Sequence, residues 1–187
     1  MKKQLRMQGF TLIELMTVAT IICILAAIAV PNFLNAVVRA KVARSVAEQE
    51  LIVWALESYF VDRDEYPPNL QEQVASPGDL VPITTPIPYI SNLPDDIFLF
   101  PKEQDRHEFI ETARNGVSSY FYINYMQPTG KRISVDPFGL KGSANYLVYG
   151  LGPAFSTDFV PQKPETLVMY NPSNGTSSRG YLTTFGP

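Results

Sequence analysis

The most pronounced pattern in the chain is a continuous apolar stretch over residues 10–30, whose only charged member is Glu14. The leader before Gly9 is basic and contains no acidic residue. As an α-helix the stretch would be about 32 Å long, close to the ~30 Å hydrocarbon core of a bilayer. Because basic flanks stay in the cytoplasm, the pattern predicts one membrane-spanning helix with a cytoplasmic leader and the rest of the chain across the membrane.

Two other interpretations of the apolar stretch stay open. One is the buried core helix of a soluble protein. The other is an ordinary secretory signal peptide, for which Ala27-Ile28-Ala29 offers a small-x-small cleavage site. Against the signal peptide, Glu14 lies inside the apolar region, where an acid is unfavourable. The helical pattern also resumes after Pro31 instead of stopping.

The second helical pattern covers residues 34–60. Proline lacks the amide that would bond to Ala27 and its ring crowds that carbonyl, so we expect a kink or a loosened turn at Pro31. Apolar positions at spacings of four or five predict an amphipathic helix that buries one stripe. The stripe comprises Leu34, Val38, Val42, Ala47, Leu51, Ala55 and Tyr59. Trp54 and Tyr59 are expected in the core.

Beyond the helix the chain is rich in turn signals and short strands. Pro67 and Pro68 stop the helix. Residues 71–88 are expected to form loops, with a turn at residues 76–79, and residues 101–116 a short helix. Aromatic and β-branched residues predict several strands, over residues 118–126, 131–135, 146–149, 166–170 and 181–185. A small antiparallel sheet packed on the long helix makes an α+β fold.

The junction between leader and apolar stretch carries a specific motif. It reads Gly9-Phe10-Thr11-Leu12-Ile13-Glu14-Leu15. It resembles the class III signal of type IV pilins and type II secretion pseudopilins. In that family a dedicated aspartic peptidase cuts after the glycine on the cytoplasmic face and methylates the new N-terminus. The resemblance therefore implies cleavage between Gly9 and Phe10, N-methylation of Phe10 and retention of the apolar helix.

The same resemblance implies how the chain is organised. Residues 1–9 would be the prepilin leader peptide, and residues 10–30 the transmembrane half of the N-terminal helix. Residues 31–63 would be the amphipathic half, and residues 64–187 a periplasmic globular domain with the C-terminal sheet and long loops. The implied localisation is the bacterial inner membrane, in a single pass, with assembly into a periplasmic filament.

Glu14 gains a physical role if the chain is cut after Gly9. A carboxylate in apolar surroundings needs a partner, because an unpaired buried charge is heavily penalised. In a filament of parallel subunits, Glu14 of one subunit would meet the Phe10 amine of a neighbour. The alternative is that Glu14 reaches the membrane surface or bonds its own first-turn amides, where the helix dipole favours an acid.

Later segments resemble the major pseudopilin (protein G type) of type II secretion systems. These segments are residues 66–71, 89–98, 146–153 and 170–176. The resemblance implies a structural subunit, not an enzyme, of a fibre that pushes folded proteins across the outer membrane. Two alternatives remain: a surface type IV pilin for adhesion, motility or DNA uptake, and a membrane-anchored domain that never polymerises.

The implied partners are other copies of the chain, packed through their N-terminal helices. They also include the prepilin peptidase and methyltransferase, the secretion or pilus assembly machinery of the inner membrane, and minor pseudopilins. No nucleic acid is expected, because the net charge is −3 and loss of the three leader bases would leave −6. The single cysteine, Cys23, excludes an intrachain disulfide, a departure from many type IV pilins.

Candidate site chemistry is sparse in the remaining sequence. We find no catalytic motif, and we expect His107 to be solvated and Asp95 and Asp96 to lie in a solvated turn. Better-known pseudopilins bind calcium through a C-terminal loop, but Ala154 replaces an expected aspartate here. Asp158 is the one side chain that we nominate for calcium, and no other cofactor is expected.

Overall fold

The computed structural model describes residues 9–69, 76–99, 119–126, 139, 143–153, 169–173, 178 and 180–187. Within them are helix α1 (Leu12–Arg63), a 3-10 helix (Pro77–Ile83) and strands β1 (Phe121–Asn124), β2 (Tyr146–Gly150) and β3 (Leu182–Phe185). The chain divides into two compact units, Met1–Val38 and Arg39–Pro187.

The described part of the first unit is the apolar portion of α1. Among the described residues, α1 is the one helix long and apolar enough to cross a membrane, and its apolar window is fully exposed. The helix continues through Pro31. One turn is reinforced there, because the side-chain amide of Asn32 donates to the Ile28 carbonyl oxygen at 3.1 Å. The predicted loosening at Pro31 stays a prediction.

The second unit contains a three-stranded antiparallel sheet in the order β1-β2-β3. Phe121 pairs with Tyr149 across β1 and β2, and Leu147 pairs with Phe185 across β2 and β3. The central strand β2 is buried along its whole length. The predicted α+β arrangement, a long helix packed on a small antiparallel sheet, is confirmed. The predicted helix 101–116 and strand 131–135 lie outside the described residues.

Alternate residues of β2 serve two apolar clusters, as expected for a strand whose side chains alternate between faces. Tyr146 and Val148 join the cluster formed with α1, and Leu147 and Tyr149 join the second. The helix contributes Ile52, Ala55, Leu56 and Tyr59 to the first cluster. Tyr66, Leu80, Ile83, Tyr120 and Tyr122 complete it. The main core therefore lies between one helix face and one face of the sheet.

The buried face of α1 differs from the predicted stripe. Tyr59 is buried as predicted, but Trp54 is 71% exposed, so its placement in the core was wrong. Trp54 lies about half a turn from Ile52 and Leu56, which points it away from the sheet. Polar Ser45 and Gln49 are buried instead, although Ala47 and Leu51 were predicted there.

Hydrogen bonds to the sheet explain why polar side chains occupy that face. The Gln49 Nε2 group donates to the Leu182 carbonyl at 3.1 Å, and the Thr184 hydroxyl donates to Gln49 Oε1 at 2.9 Å. The Ser45 hydroxyl donates to the Tyr120 hydroxyl oxygen at 3.1 Å. A buried polar group with its hydrogen bonds made is tolerated, so hydrophobicity alone misplaces this face.

The loop predicted over residues 71–88 was wrong in its middle part, which forms the 3-10 helix Pro77–Ile83. Ser76 caps it by accepting from the Gly78 amide at 3.2 Å, and Asp79 Oδ2 accepts from the Ser76 amide at 3.3 Å. This reciprocal capping nucleates the turn. Leu80 and Ile83 enter the core from it.

Candidate functional site

The N-terminus of α1 is organised by a reciprocal hydrogen-bond pair between Thr11 and Glu14. Glu14 Oε2 accepts from the Thr11 amide at 2.9 Å and from the Thr11 hydroxyl at 2.7 Å. The Glu14 amide donates back to Thr11 Oγ1 at 3.3 Å. This is a capping box, which satisfies two amides at the helix start. In the single chain, Glu14 therefore makes the alternative contact that the sequence left open, to its own first turn.

Gly9 and Phe10 precede the helix and are both exposed, Phe10 to 82%. A Cβ placed on Gly9 would meet nothing within 4 Å. The fold therefore does not demand glycine at this position. The bond between Gly9 and Phe10 is accessible, since α1 begins only at Leu12.

The other polar side chains near the helix start bond within the helix. The Thr17 hydroxyl donates to the Glu14 carbonyl at 2.9 Å, and the Thr20 hydroxyl donates to the Met16 carbonyl at 2.8 Å. Such back-bonding lets hydroxyls enter an apolar phase without an outside partner. Glu14 is thus the one charged side chain of residues 10–30 and the natural focus of specificity there.

The apolar side chains around this charge are strongly exposed. Leu12, Ile13 and Leu15 are 76%, 70% and 66% exposed. The exposure continues along the helix at Met16, Val18, Ile21, Ile22, Ile24, Leu25, Ile28 and Val30. A contiguous apolar surface of this kind requires lipid or neighbouring helices to cover it.

In the second unit, sequence reasoning missed two carboxylates that anchor α1 to the sheet. Glu57 Oε1 accepts from the Tyr146 hydroxyl at 2.7 Å and from the Tyr66 hydroxyl at 3.3 Å. Glu48 Oε2 accepts from the Tyr120 hydroxyl at 2.7 Å. Burial, followed by the contact with Glu57, raises the pKa of Tyr146 above its ordinary value, so the phenol stays a donor. The sequence did contain a signal for these contacts: both glutamates flank the predicted apolar stripe of the helix, and the predicted strands are rich in tyrosine.

Asp96 is buried, 2% exposed, so its placement in a solvated turn was wrong. Its two oxygens accept from the Phe98 amide at 2.9 Å and the Leu151 amide at 2.8 Å. Burial raises the pKa of Asp96 to about 6, against the lowering effect of the two amides. A Cβ on Gly150 would lie 2.7 Å from Asp96 Oδ2 and 2.7 Å from the Tyr120 ring. Asp96 therefore joins a loop to the end of β2.

The calcium candidate Asp158 and the lone His107 lie outside the described residues. Within the described ranges, no group of three or more histidine, cysteine or acidic side chains is placed to hold a metal ion. Calcium binding at Asp158 stays a prediction. It is tested by measuring whether calcium raises the melting temperature and whether Asp158→Ala removes that effect.

Cys23 is a free, exposed thiol within α1.

Comparison with known proteins adds to this geometry. The model of the prokaryotic N-terminal methylation motif matches residues 5–30. The type IV major pilin protein PilA of Myxococcus xanthus is 46% identical over 61 residues, 33% of this chain and 28% of the relative. The type IV major fimbrial protein FimA of Dichelobacter nodosus is 47% identical over 58 residues, 31% of this chain and 37% of the relative.

The type II secretion system core protein G of Dickeya chrysanthemi is 29% identical over 120 residues, 62% of this chain and 76% of the relative. The chain spans only 28% to 37% of the length of the pilin relatives given above. No solved structure matches the chain.

The motif at the start of the exposed apolar helix is thus one that the chain shares with structural pilin and secretion-system proteins, and these relatives are not enzymes. The chain is therefore similar to type IV pilins over its N-terminal third and to a type II secretion core protein over a longer stretch. The apolar helix and the relatives also fit a membrane-anchored, filament-forming protein.

Proposed function

We propose that the chain is the major pseudopilin of a type II secretion system, a subunit that polymerises to push folded proteins across the outer membrane. One observation carries this choice. The similarity to core protein G extends over 120 residues, whereas the matches to PilA and FimA cover 61 and 58. Any filament subunit of this family needs the N-terminal helix, so similarity beyond it is what distinguishes the subfamilies.

The first step is processing by the prepilin peptidase and methyltransferase. We expect cleavage between Gly9 and Phe10 and methylation of the new Phe10 amine. The methylation motif at residues 5–30 supports this step. So does the exposure of Gly9 and Phe10, which lie ahead of the helix in an accessible segment.

Assembly then uses the amine released by cleavage. Within the described residues, the hydrogen bonds to the Glu14 carboxylate end on Oε2. An ionised carboxylate has about four acceptor positions, so Glu14 can cap its own helix and still receive the Phe10 amine of a neighbour. The pairing compensates a charge that lipid or apolar helices would otherwise surround. The exposed apolar side chains of both helices pack around it.

The proposal sets the topology and the partners. The chain would cross the bacterial inner membrane once, with its leader in the cytoplasm and its second unit in the periplasm. It would polymerise with its own copies through their N-terminal helices. The inner-membrane assembly machinery, with a separate cytoplasmic ATPase as energy source, would add subunits, and minor pseudopilins would join the fibre. No nucleic acid is expected among the partners.

A surface type IV pilin is the second candidate. Its support is the higher identity, 46% and 47%, to the major pilins PilA and FimA. Against it, the single cysteine excludes the C-terminal disulfide that many type IV pilins carry.

The test begins with intact-mass analysis of the protein from native membranes. A chain that begins at Phe10 with one methyl group is expected, and a chain that begins at Val30 would contradict processing as a prepilin. Deleting the gene then separates the two filament types. Loss of extracellular enzymes with surface filaments unchanged supports a pseudopilin; loss of surface filaments with secretion unchanged would replace it by a surface pilin.

A further inference from the structure

The first bases beyond the apolar part of α1 lie close together at the start of the second unit. Residues 10–38 contain no lysine or arginine, and three bases then follow within six residues, Arg39, Lys41 and Arg44. All three are exposed. No acid follows the apolar stretch until Glu48. Positive charge is therefore concentrated directly after the apolar part of the helix, and the acids of the helix come later.

Two of these bases carry charges that no acid in the described part of the chain balances. Arg44 Nε lies 2.7 Å from Glu48 Oε1, so the charge of Arg44 is neutralised within the helix. Across the described residues this is the one ion pair, and Arg39 and Lys41 are outside it. We refer to Arg39 and Lys41 as the basic collar.

Distance along the helix places the basic collar close to the headgroups of a bilayer that surrounds the apolar stretch. Arg39 follows Val30 by nine residues, about 13 Å of helix. The headgroup layer extends about 5–7 Å beyond the hydrocarbon core. Exposed apolar side chains also continue past Val30, since Phe33 and Leu34 are 67% and 58% exposed. Such side chains favour a position of the helix in which lipid reaches beyond Val30.

Side-chain direction brings the two charges nearer still. The Cα–Cβ bonds of a helix tilt toward its N-terminus, which for α1 is toward the apolar stretch. Long basic side chains at the end of a membrane helix use this freedom to place the charge among headgroups. The remaining gap is comparable to the Debye length, about 8 Å at physiological ionic strength, so phosphate charges act on both bases.

The placement of the two bases around the helix indicates a lipid layer as the partner. Arg39 and Lys41 are two positions apart, which puts them about 200° apart around the axis, on nearly opposite sides. A lipid layer surrounds a helix and reaches both sides at once, whereas a partner protein that docks on one face meets one of them. Each base near an anionic surface strengthens binding up to about fivefold.

We propose that the basic collar binds the phosphate headgroups of anionic lipids, such as phosphatidylglycerol, in the leaflet at the C-terminal end of the apolar stretch. The inference rests on the membrane crossing in the proposed function and is independent of polymerisation. The three leader bases lie at the other end of the apolar stretch. Cleavage after Gly9 would therefore leave the basic collar as the remaining cationic flank that holds the subunit to anionic lipid.

Lipid selectivity tests the basic collar. The full chain is reconstituted in phosphatidylcholine vesicles, with Lys2, Lys3 and Arg6 replaced by glutamine so that the leader does not contribute. Traces of spin-labelled phosphatidylglycerol or phosphatidylcholine are added, and electron spin resonance gives the fraction of each lipid held beside the protein. We expect phosphatidylglycerol to associate at least about threefold more strongly. About 1 M salt, which shortens the Debye length to about 3 Å, should remove most of this preference.

Variants show whether the preference belongs to the basic collar. Arg39→Gln should lower it, and adding Lys41→Gln should abolish it. Arg39→Lys should retain it, because the charge is what the lipid phosphate binds. Arg63→Gln is the matched control, since Arg63 is an exposed base at the other end of the same helix, and it should leave the preference unchanged.

Three results would overturn the proposal: equal affinity for the two lipids before the collar is changed, an unchanged preference in the double variant, or equal losses from Arg39→Gln and Arg63→Gln. Alkaline extraction of native membranes separates these results from failure of the membrane crossing. If the chain resists extraction and shows no preference, the crossing holds and the basic collar is wrong. If the chain is extracted and vesicles do not retain it, both are wrong. Filaments do not enter the lipid measurement, so a collar-dependent preference in a chain that forms none would leave the basic collar standing and overturn the filament function.

Discussion

The hydroxyl of Tyr146 donates a 2.7 Å hydrogen bond to Glu57 Oε1 and so joins the central strand of the sheet to helix α1. Tyr66 lies beside this pair, with its ring centroid 4.8 Å from that of Tyr146, and donates to the same carboxylate at 3.3 Å. The carboxylate of Glu57 therefore lies against the aromatic core with its hydrogen bonds supplied by two tyrosines. This contact, together with that of Tyr120 to Glu48, fixes the rotation of the helix on the sheet.

Tyr146→Phe tests this anchor. The substitution keeps the ring and removes the short hydrogen bond, which leaves the half-buried Glu57 with its weaker contact to Tyr66. We expect a loss of about 1–2 kcal/mol in the free energy of unfolding, measured by denaturant titration of the full chain in detergent. Tyr89→Phe is the matched control, because the Tyr89 hydroxyl donates to the exposed Asp62 at 2.9 Å. There the change should be about 0.5 kcal/mol or less. Equal losses from both variants would contradict the anchor.

Asp96 should make the stability of the second unit depend on pH in the acid range. Its pKa is raised from 3.8 to about 6 in the folded chain, mainly by burial. Between pH 3.8 and about pH 6, Asp96 therefore keeps its proton in the folded chain and has lost it in the unfolded chain. The stabilisation is fully present below pH 3.8 and is lost as pH rises through about 6. The expected loss is about 3 kcal/mol across this window.

The measurement for Asp96 is the free energy of unfolding as a function of pH, in the parent and in Asp96→Asn. Other carboxylates titrate in both proteins, so the difference between the two curves isolates Asp96. That difference in the free energy of unfolding should change steeply between about pH 4 and about pH 6.5 and be flat above this range. These limits lie close to the pKa values of Asp96 in the unfolded and folded chain. A flat difference throughout would show that Asp96 is not buried as an acid.

Gly150→Ala should destabilise the second unit. The added Cβ would lie 2.7 Å from Asp96 Oδ2 and from the Tyr120 ring, closer than Cβ atoms in proteins approach non-bonded atoms. Overpacking of this kind costs about 1–3 kcal/mol in the free energy of unfolding. Gly9→Ala, with all variants measured in the unprocessed chain, is the control, since a Cβ there meets nothing within 4 Å and should leave the unfolding unchanged. A neutral Gly150→Ala would mean that the loop holding Asp96 moves aside freely.

Variants at Glu14 separate its two possible partners. Glu14→Ala should leave membrane insertion intact and abolish polymerisation. Glu14→Gln keeps an acceptor for the Thr11 amide, and so preserves the capping box, but loses the charge that would pair with the Phe10 amine. We therefore expect Glu14→Gln also to fail in assembly while the helix start stays ordered, as measured by filament yield beside membrane fractionation. Thr17→Ala is the control within the same helix. Normal filaments from Glu14→Gln would remove the pairing with Phe10.

The local pattern was sufficient for the elements that depend on near neighbours in sequence. The length and polarity of residues 10–30 predict a long apolar helix, and the spacing of apolar residues continues it to about residue 60, close to the observed end at Arg63. The strands at residues 121–124, 146–150 and 182–185 fall within or beside the predicted runs. The predicted and observed elements agree because helix and strand periodicity are properties of a single segment. The motif at Gly9 and Phe10 is likewise local.

The tertiary structure decided what depends on residues far apart in sequence. Gln49 is buried because Leu182 and Thr184 supply its hydrogen bonds, and Trp54 is exposed because that pairing turns the helix. Asp96 is buried because the Leu151 amide reaches it from the end of β2. The sequence alone determined the long apolar helix, the three strands that follow it and the N-terminal methylation motif. The rotation of the helix on the sheet was decided by long-range hydrogen bonds to buried polar groups. Leaving those groups buried without partners would cost more free energy than leaving Trp54 and Leu51 exposed.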